Sequence, residues 1–279
     1  MVAAMPELPE VEVSRQGLLP FLSQQRIAGA IVRTPRLRHE IPPGLDARLA
    51  GLRVETIRRR GKYLLFDCQS EHGGGWLMIH LGMSGSLRLV APATPAQAHD
   101  HFDLLFADTV LRLRDPRRFG ALLWHEGERV EAHPLLAGLG IEPLSAAFDG
   151  DWLHAATRGR RAPIKPLLMD SRLVVGIGNI YAAESLHLAG ISPRRAANRI
   201  SHARYHLLAA AVRSTLSAAI AAGGSSVRDY VHSDGGAGCF QLSCAVYDRA
   251  GEPCPACGGP VQMIRQGGRS SFYCRRCQR

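Results

Sequence analysis

Four cysteines near the C-terminal end carry the most specific chemistry in the sequence: Cys254-Pro-Ala-Cys257 and Cys274-Arg-Arg-Cys277, with residues 258–273 between the pairs. That spacing suits a four-thiolate zinc site, in which two tight turns each present two sulfurs at tetrahedral positions. Gly258-Gly259 provides the turn after the first pair. Four soft ligands fill the coordination sphere of one Zn2+ and leave no open position, so the implied metal is structural. A redox dithiol is the competing reading. The seven cysteines are an odd number, which argues against a fully paired disulfide framework. Cys68, Cys239 and Cys244 have no partner at ligand spacing and read as ordinary buried or half-buried thiols.

The elements that must position these groups change character along the chain. Residues 7–22 read as a helix, with Pro6 and Pro9 tolerated near its first turn and Glu7, Glu10 and Glu12 suited to its positive end. Seven short segments then favour strands: 27–33, 54–59, 63–68, 76–81, 102–106, 110–114 and 121–124. Glycine and proline turns separate several of them, which predicts a β-sandwich or barrel. From about Asp151 onward the pattern becomes helical. Residues 179–188 form one helix, ended by Gly190 and Pro193. Residues 201–222 form another, with Ser201 as N-cap and Gly223-Gly224 as its stop. The glycine-rich 233–238 reads as a loop before the zinc module. The expected fold is α+β: an N-terminal β-sandwich lobe with an N-terminal helix, a helical lobe and a C-terminal zinc ribbon.

Charge points to a partner. Among 279 residues, 34 Lys and Arg stand against 24 Asp and Glu, a formal net charge of +10. A polyanion such as nucleic acid is the simplest partner, with solubilising surface charge as the competing reading. At 46% apolar and 21% charged, the chain is neither disordered nor fibrous. Its apolar runs, such as 207–212, fall far short of the ~20 residues needed to cross a bilayer. The acidic Glu7, Glu10 and Glu12 follow Met1–Pro6 directly, which is not a signal-peptide pattern. A cytoplasmic protein without membrane association is expected.

Met5-Pro6-Glu7-Leu8-Pro9-Glu10-Val11-Glu12 resembles the start of the formamidopyrimidine-DNA glycosylases, bacterial enzymes that repair oxidised purines. The likeness continues through Arg60-Gly61-Lys62-Tyr63-Leu64-Leu65, His80-Leu81-Gly82-Met83-Ser84-Gly85 and His99-Asp100-His101. Asp115-Pro116-Arg117-Arg118-Phe119-Gly120, Gly176-Ile177-Gly178-Asn179-Ile180-Tyr181-Ala182 and the cysteine segment complete it, in the family's order. The resemblance implies a β-sandwich catalytic domain over 5–135, a helix–two-turn–helix DNA-binding domain over 136–232, a lid or linker over 233–244 and a zinc finger over 245–279. It implies a monomeric, bifunctional glycosylase and abasic-site lyase with one structural Zn2+, acting on duplex DNA that contains oxidised bases or abasic sites. Such an enzyme flips the damaged nucleotide out of the stack, cuts the glycosidic bond and breaks the strand by β- and δ-elimination.

The same resemblance implies site residues. Pro6 is the nucleophile: a free N-terminal secondary amine attacks the sugar C1′ and becomes an iminium, which acidifies the C2′ proton. An N-terminal amine starts near pKa 7.7–8.0, well below a lysine, and a helix N-terminus disfavours its protonated form further. Glu7 is the proton donor beside it, with Glu10 secondary. Lys62 donates a proton in elimination, and Arg269 grips the phosphate that leaves in δ-elimination. Met83, Arg117 and Phe119 fill the void left by the flipped base. His99, Arg161 and Asn179 contact DNA, Asn179 from a helix start where backbone N–H groups suit phosphate. At Arg161 the sequence has arginine where the family pattern leads one to expect lysine. Residues 225–230 and 233–241 correspond to the damaged-base pocket and its lid.

Each residue also has a plainer reading. Pro6 is a suitable first-turn proline, Glu7 a helix-dipole carboxylate, Lys62 a solvated strand lysine and Asn179 an N-cap. Met83 and Phe119 read as core, Arg117 as a turn arginine, and Arg269 as generic positive charge shared with Arg265, Arg275 and Arg276. His99-Asp100-His101 reads as a metal-ligand pattern or a polar loop. In a chain translated from Met1, Met1-Val2-Ala3-Ala4 precedes Met5 and Pro6 is locked in an amide, which cannot form a Schiff base. The expectation is translation from Met5 followed by methionine removal, with later processing or an inactive protein as alternatives. Two other functions compete: an endonuclease VIII-like glycosylase for oxidised pyrimidines, and a non-catalytic zinc protein that binds damage.

Overall fold

The computed structural model describes residues 6–224 and 244–279. The chain divides into two compact units, one built from the residues up to 137 and the other from 138–222 and the C-terminal segment.

The first unit opens with helix α1 (Leu8–Leu22). Strands β1 (Gly29–Val32), β2 (Arg53–Arg60), β3 (Tyr63–Ser70) and β4 (Gly73–His80) follow, with the short helix α2 (Leu45–Leu49) between β1 and β2. Then come β5 (Ser86–Val90), β6 (Asp100–Leu105), β7 (Val110–Arg114), β8 (Ala121–Glu126) and the single turn α3 (Pro134–Ala137). The strands form two four-stranded antiparallel sheets, ordered β1-β6-β7-β5 and β2-β3-β4-β8. Alternation explains how they stack. Leu64, Phe66 and Cys68 of β3 face the same way as Leu77 and Ile79 of β4, and meet Leu87, Phe102, Leu104, Leu111 and Leu113 of the other sheet. Val11, Leu18 and Leu22 bring α1 onto the same core.

The second unit contains α4 (Gly150–Thr157), α5 (Ile164–Leu168), α6 (Asn179–Leu188) and α7 (His202–Ala221), then the hairpin β9 (Val261–Gln266) and β10 (Arg269–Cys274). The zinc ribbon is not a separate body. Val246, Val261 and Phe272 form one apolar cluster with Ala183 of α6, and the Glu184 carboxylate accepts from the backbone N–H of Ala245, Val246 and Tyr247 at 2.8–3.1 Å. A finger this small has too little apolar area to bury alone, so it uses a helix as its other wall.

Every expected strand is present, with ends shifted by up to three residues. β5 and α2 were not anticipated. β5 carries only one fully buried apolar residue, Leu87, beside the buried Ser86, and α2 is a single turn stabilised by burial of Leu45 and Leu49. Ser201 occupies the N-cap of α7, but its side chain does not make the cap bond. Met83 and Phe119 do not belong to the core: Met83 is half-buried and Phe119 is 44% exposed. Cys68 is an ordinary core thiol, pushed up to about 12 by burial. Phe66→Ala is expected to lower stability to urea by about 3–5 kcal/mol. Phe119→Ala is expected to stay within about 0.5 kcal/mol, because little apolar contact is lost there.

Candidate catalytic and nucleic-acid site

In the first unit, Glu7 is the N-cap of α1, buried to 1% exposure, and Pro6 immediately before it is also buried. The Glu7 backbone N–H donates to Glu10 Oε2 at 2.8 Å, while the Glu7 carboxylate accepts from the Glu10 backbone N–H. This reciprocal capping box fixes both carboxylates and holds the Pro6 end of the chain at the positive pole of the helix. Glu7 therefore does sit at the positive end of the helix, as the plainer reading of a helix-dipole carboxylate expects, and it also caps that end with Glu10 as its partner. Glu12 belongs to a different system. Burial opposes its ionisation, but hydrogen bonds from Arg15 and Arg59 outweigh that and hold its carboxyl below the usual range, tying α1 to β2.

Lys62 sits in the two-residue turn between β2 and β3, where Arg60 pairs with Tyr63 and Gly61 takes a left-handed φ of 57°. The turn leaves the lysine half-buried at the sheet edge. Beside it stands His80, whose ring packs edge-on against Tyr63 at 4.8 Å. Its Nδ1 accepts from the Gly82 backbone N–H at 3.0 Å, so a neutral ring carries its proton on Nε2. Burial, reinforced by the charges of Lys62, Arg38 and His39, pushes His80 down to about 4. A neutral His80 adds no charge to a neighbourhood that is already cationic. The sequence reading quoted His80 only as the first residue of a motif. Its burial depends on the β3–β4 pairing, which no local pattern displays.

Met83, Arg117 and Phe119 come together through their backbones. The Asp115 carboxylate, fully buried, accepts from Ser84 Oγ at 2.6 Å and from the Gly120 N–H at 2.7 Å; Ser84 Oγ in turn accepts from the Arg117 N–H at 3.1 Å. Gly82 has φ 64°, and a Cβ there would run into the backbone of Phe119 and Gly120. Two turns are thus locked against each other while their side chains project. The Arg117 guanidinium lies 5.0 Å over the Phe119 ring, a cation–π contact that orients both. His99, exposed with φ 74°, is joined to the same region, because its carbonyl accepts from the Asp115 N–H at 3.0 Å. His99 leads into β6, of which Asp100 and His101 are the first two residues, both buried: Asp100 faces Arg112 and Arg114, and His101 Nε2 lies 3.0 Å from the Asp115 carbonyl.

In the second unit, Asn179 is the first residue of α6, one position inside the Gly178 N-cap. Its Nδ2 donates to the Ser270 carbonyl at 3.0 Å, and its Oδ1 accepts from Lys165 Nζ at 2.7 Å. Lys165, 1% exposed, also donates to Ser271 Oγ at 2.8 Å and the Ser270 carbonyl at 3.2 Å. This buried ammonium joins α5, α6 and the start of β10, next to Arg269. The sequence reading missed it; the signal available was a lysine set within Pro163-Ile164-Lys165-Pro166-Leu167-Leu168. Arg269 itself is exposed at the hairpin tip, after Gly267 and Gly268 with φ 55° and 75°. Arg161 is exposed in the loop between α4 and α5. Residues 225–243, which include the expected base pocket, its lid and Cys239, lie outside the described residues.

The four finger cysteines converge as expected. Their sulfurs all lie within 4.8 Å of one another, with Cys257–Cys274 at 3.4 Å and Cys254–Cys277 at 3.9 Å. Zn–S bonds of about 2.3 Å in a tetrahedron require sulfurs about 3.8 Å apart, so the cluster fits one zinc and is too open for disulfides. Without a cation the Cys277 thiol resists ionisation: hydrogen bonding with Cys257, then burial and the other cysteines, pushes it up to about 12. A bound Zn2+ reverses that preference by stabilising thiolates. His187 Nε2, 3.5 Å from Cys254 Sγ, supports one of them.

Comparison with known proteins agrees with this arrangement. The formamidopyrimidine-DNA glycosylase N-terminal domain matches residues 5–122, that family's H2TH domain matches 139–231, and the zinc finger found in FPG and IleRS matches 251–279. A formamidopyrimidine-DNA glycosylase of Dechloromonas aromatica is 62% identical over 276 residues, covering 98% of this chain and 100% of that protein. One of Cupriavidus pinatubonensis is 56% identical over 283 residues, again covering 98% of this chain and 100% of the relative. Among solved structures, the Lactococcus lactis Fpg (MutM) complex with N7-benzyl-Fapy-dG DNA superposes with TM-score 0.89 at 35% identity, covering 98% of this chain and all of the other. The same enzyme with abasic-site DNA gives 0.88 at 35% identity, covering 98% and 99%. The chain belongs to the formamidopyrimidine-DNA glycosylase family, and its finger holds one structural zinc. Among the described residues, no helix is long and apolar enough to cross a membrane.

Two measurements check this site. His80 is neutral when folded and takes up a proton near pH 6.5 when unfolded, so the unfolded state binds more protons between about pH 6.5 and 4. Stability therefore falls as pH drops through that window, by about 3 kcal/mol at most, and His80→Asn should flatten this part of the urea-midpoint profile. Cys257→Ser should lose the finger zinc on metal analysis and unfold the ribbon, because structural zinc energy is folding energy.

Proposed function

We propose that this chain is a bifunctional DNA glycosylase and abasic-site lyase of base excision repair that removes 8-oxoguanine and formamidopyrimidines from duplex DNA, with Pro6 as its nucleophile. The observation that carries this reading is the start of α1, where Pro6 leads a buried, reciprocally capped Glu7–Glu10 pair at a helix's positive end. The reaction requires residues 1–5 to be removed, so that Pro6 is a secondary amine poised near neutral pKa. Its lone pair attacks C1′ of the flipped nucleotide, and the glycosidic bond breaks as the base leaves with a proton. The C1′–O4′ bond then opens, Glu7 giving a proton to O4′, and the Pro6 nitrogen becomes a cationic iminium. Electron withdrawal releases the C2′ proton and expels the 3′ phosphate with its bonding pair; a second elimination expels the 5′ phosphate. Lys62 supplies a proton and phosphate contact during elimination, and Arg269 holds the departing phosphate through its guanidinium fork.

Met83, Arg117 and Phe119 occupy the space the flipped nucleotide leaves, with Arg117 facing the acceptors of the unpaired cytosine. His99, Arg161 and Asn179 position the phosphate backbone. The zinc finger presents Arg269 and keeps its metal out of the chemistry. The enzyme acts as a monomer on nucleoid DNA in the bacterial cytoplasm.

Borohydride added during reaction with 8-oxoguanine opposite cytosine should yield a covalent protein–DNA adduct whose sugar is attached at an N-terminal Pro6. Lys62→Ala should slow excision roughly 10²-fold, the usual contribution of a positioned proton donor, while changing affinity for an abasic-site duplex far less. An active chain that retains Val2, or failure to trap, would overturn the Pro6 mechanism. A strong preference for thymine glycol would favour the endonuclease VIII-like reading.

A further inference from the structure

Two helices of the second unit bring together a set of donors that the repair chemistry does not use. His202 and His206 lie one turn apart on α7, and both aim Nε2 at the same Asp151 oxygen of α4, at 2.6 and 3.3 Å. The three potential ligand atoms all lie within 4.8 Å of one another. We propose that Asp151, His202 and His206 form a second metal site, for Zn2+ or a similar borderline divalent transition cation, that clips α4 to α7.

The donor set decides the ligand class. Two imidazoles and one carboxylate suit zinc, nickel or copper, whereas calcium and magnesium prefer all-oxygen sites. Three protein ligands leave a fourth tetrahedral position for water, unlike the closed four-thiolate finger. As a plain ion pair the cluster would contribute little, because Asp151, His202 and His206 are 67%, 55% and 47% exposed at the side chain. That exposure also lets a cation reach them from solvent.

The packing underneath holds the geometry. Gly150 opens α4, and a Cβ there would run into the ring and backbone of His206, so the first turn of α4 lies directly on that residue. Asp149 caps the same turn by accepting from the Trp152 N–H at 2.7 Å. Below it, Tyr205 accepts from Thr157 Oγ at 2.7 Å and donates to the Ala197 carbonyl at 2.9 Å, fixing α7 against α4. His154 stacks edge-on with His202 at 5.1 Å and limits the positions of that ring. The ligands therefore come from two elements whose separation is set before any ion arrives, which lowers the cost of binding.

The test uses the full-length, zinc-loaded protein prepared without a histidine tag. Calorimetric titration with Zn2+ should show one equivalent beyond the finger's, accompanied by a rise in Tm. Titrated instead with Co2+, this site should absorb without the thiolate charge-transfer band that marks the finger. His206→Gln and Asp151→Asn are exposed, volume-conserving changes expected to leave the fold intact. Each should weaken the second equivalent by at least roughly tenfold, the loss that even an outer-sphere partner of a metal ligand can produce, and should abolish the Zn2+-dependent rise in Tm. Absence of a second equivalent in the native protein would overturn the proposal, as would unchanged affinity in both variants.

Discussion

A side chain that projects from a protein surface holds one position only if the backbone beneath it is fixed. The described structure fixes backbone by a repeated device: a buried or half-buried polar residue ties down the chain next to a candidate site residue. Asp115 ties the turns that carry Met83, Arg117 and Phe119. Glu10 holds the Glu7 N–H beside Pro6. Lys165 and Asn179 hold the Ser270 carbonyl beside Arg269. In each case a charged or amide group with little exposure is hydrogen-bonded to backbone, and for Asp115, Lys165 and Asn179 to neighbouring side chains as well, so that buried polarity gives geometric definition instead of a desolvation penalty.

The net positive charge is not spread evenly over contact residues. Arg112 is buried against Asp103 and the Thr94 and Pro95 carbonyls, Arg33 shares Asp103, and Arg59 is committed to Glu12. Arg213 donates to carbonyls of the 144–148 loop. These arginines hold sheets and loops together, whereas Arg117, Arg161 and Arg269 remain exposed. A count of basic residues therefore points to a polyanionic partner without saying which of them meet it.

Legibility differed by feature for physical reasons. The cysteine pairs were readable because a metal site imposes its own spacing, and their sulfurs do converge. Helices 8–22 and 179–188 and most strands were readable from caps, breakers and alternation. β5 was not, since its Arg88 and its half-buried positions blur the alternation. Lys165 and His80 escaped notice because each owes its burial to partners distant in sequence, Ser270 and Ser271 for the one and the paired β3 strand for the other. Asp151 with His202 and His206 is the same case: fifty residues separate donors that helix packing makes neighbours.

By itself the sequence determined the inventory: the four thiolates and their metal, a basic chain, a proline–glutamate start to a helix, and the motifs that mark the family. These are local properties, set by residue type and short spacing. Only the tertiary structure decided which carboxylate caps which amide, that Met83 and Phe119 project from the surface, that His80 stays neutral and that the finger shares its core with α6. Those outcomes depend on burial and on contacts between distant segments, and both come into existence only when the chain packs.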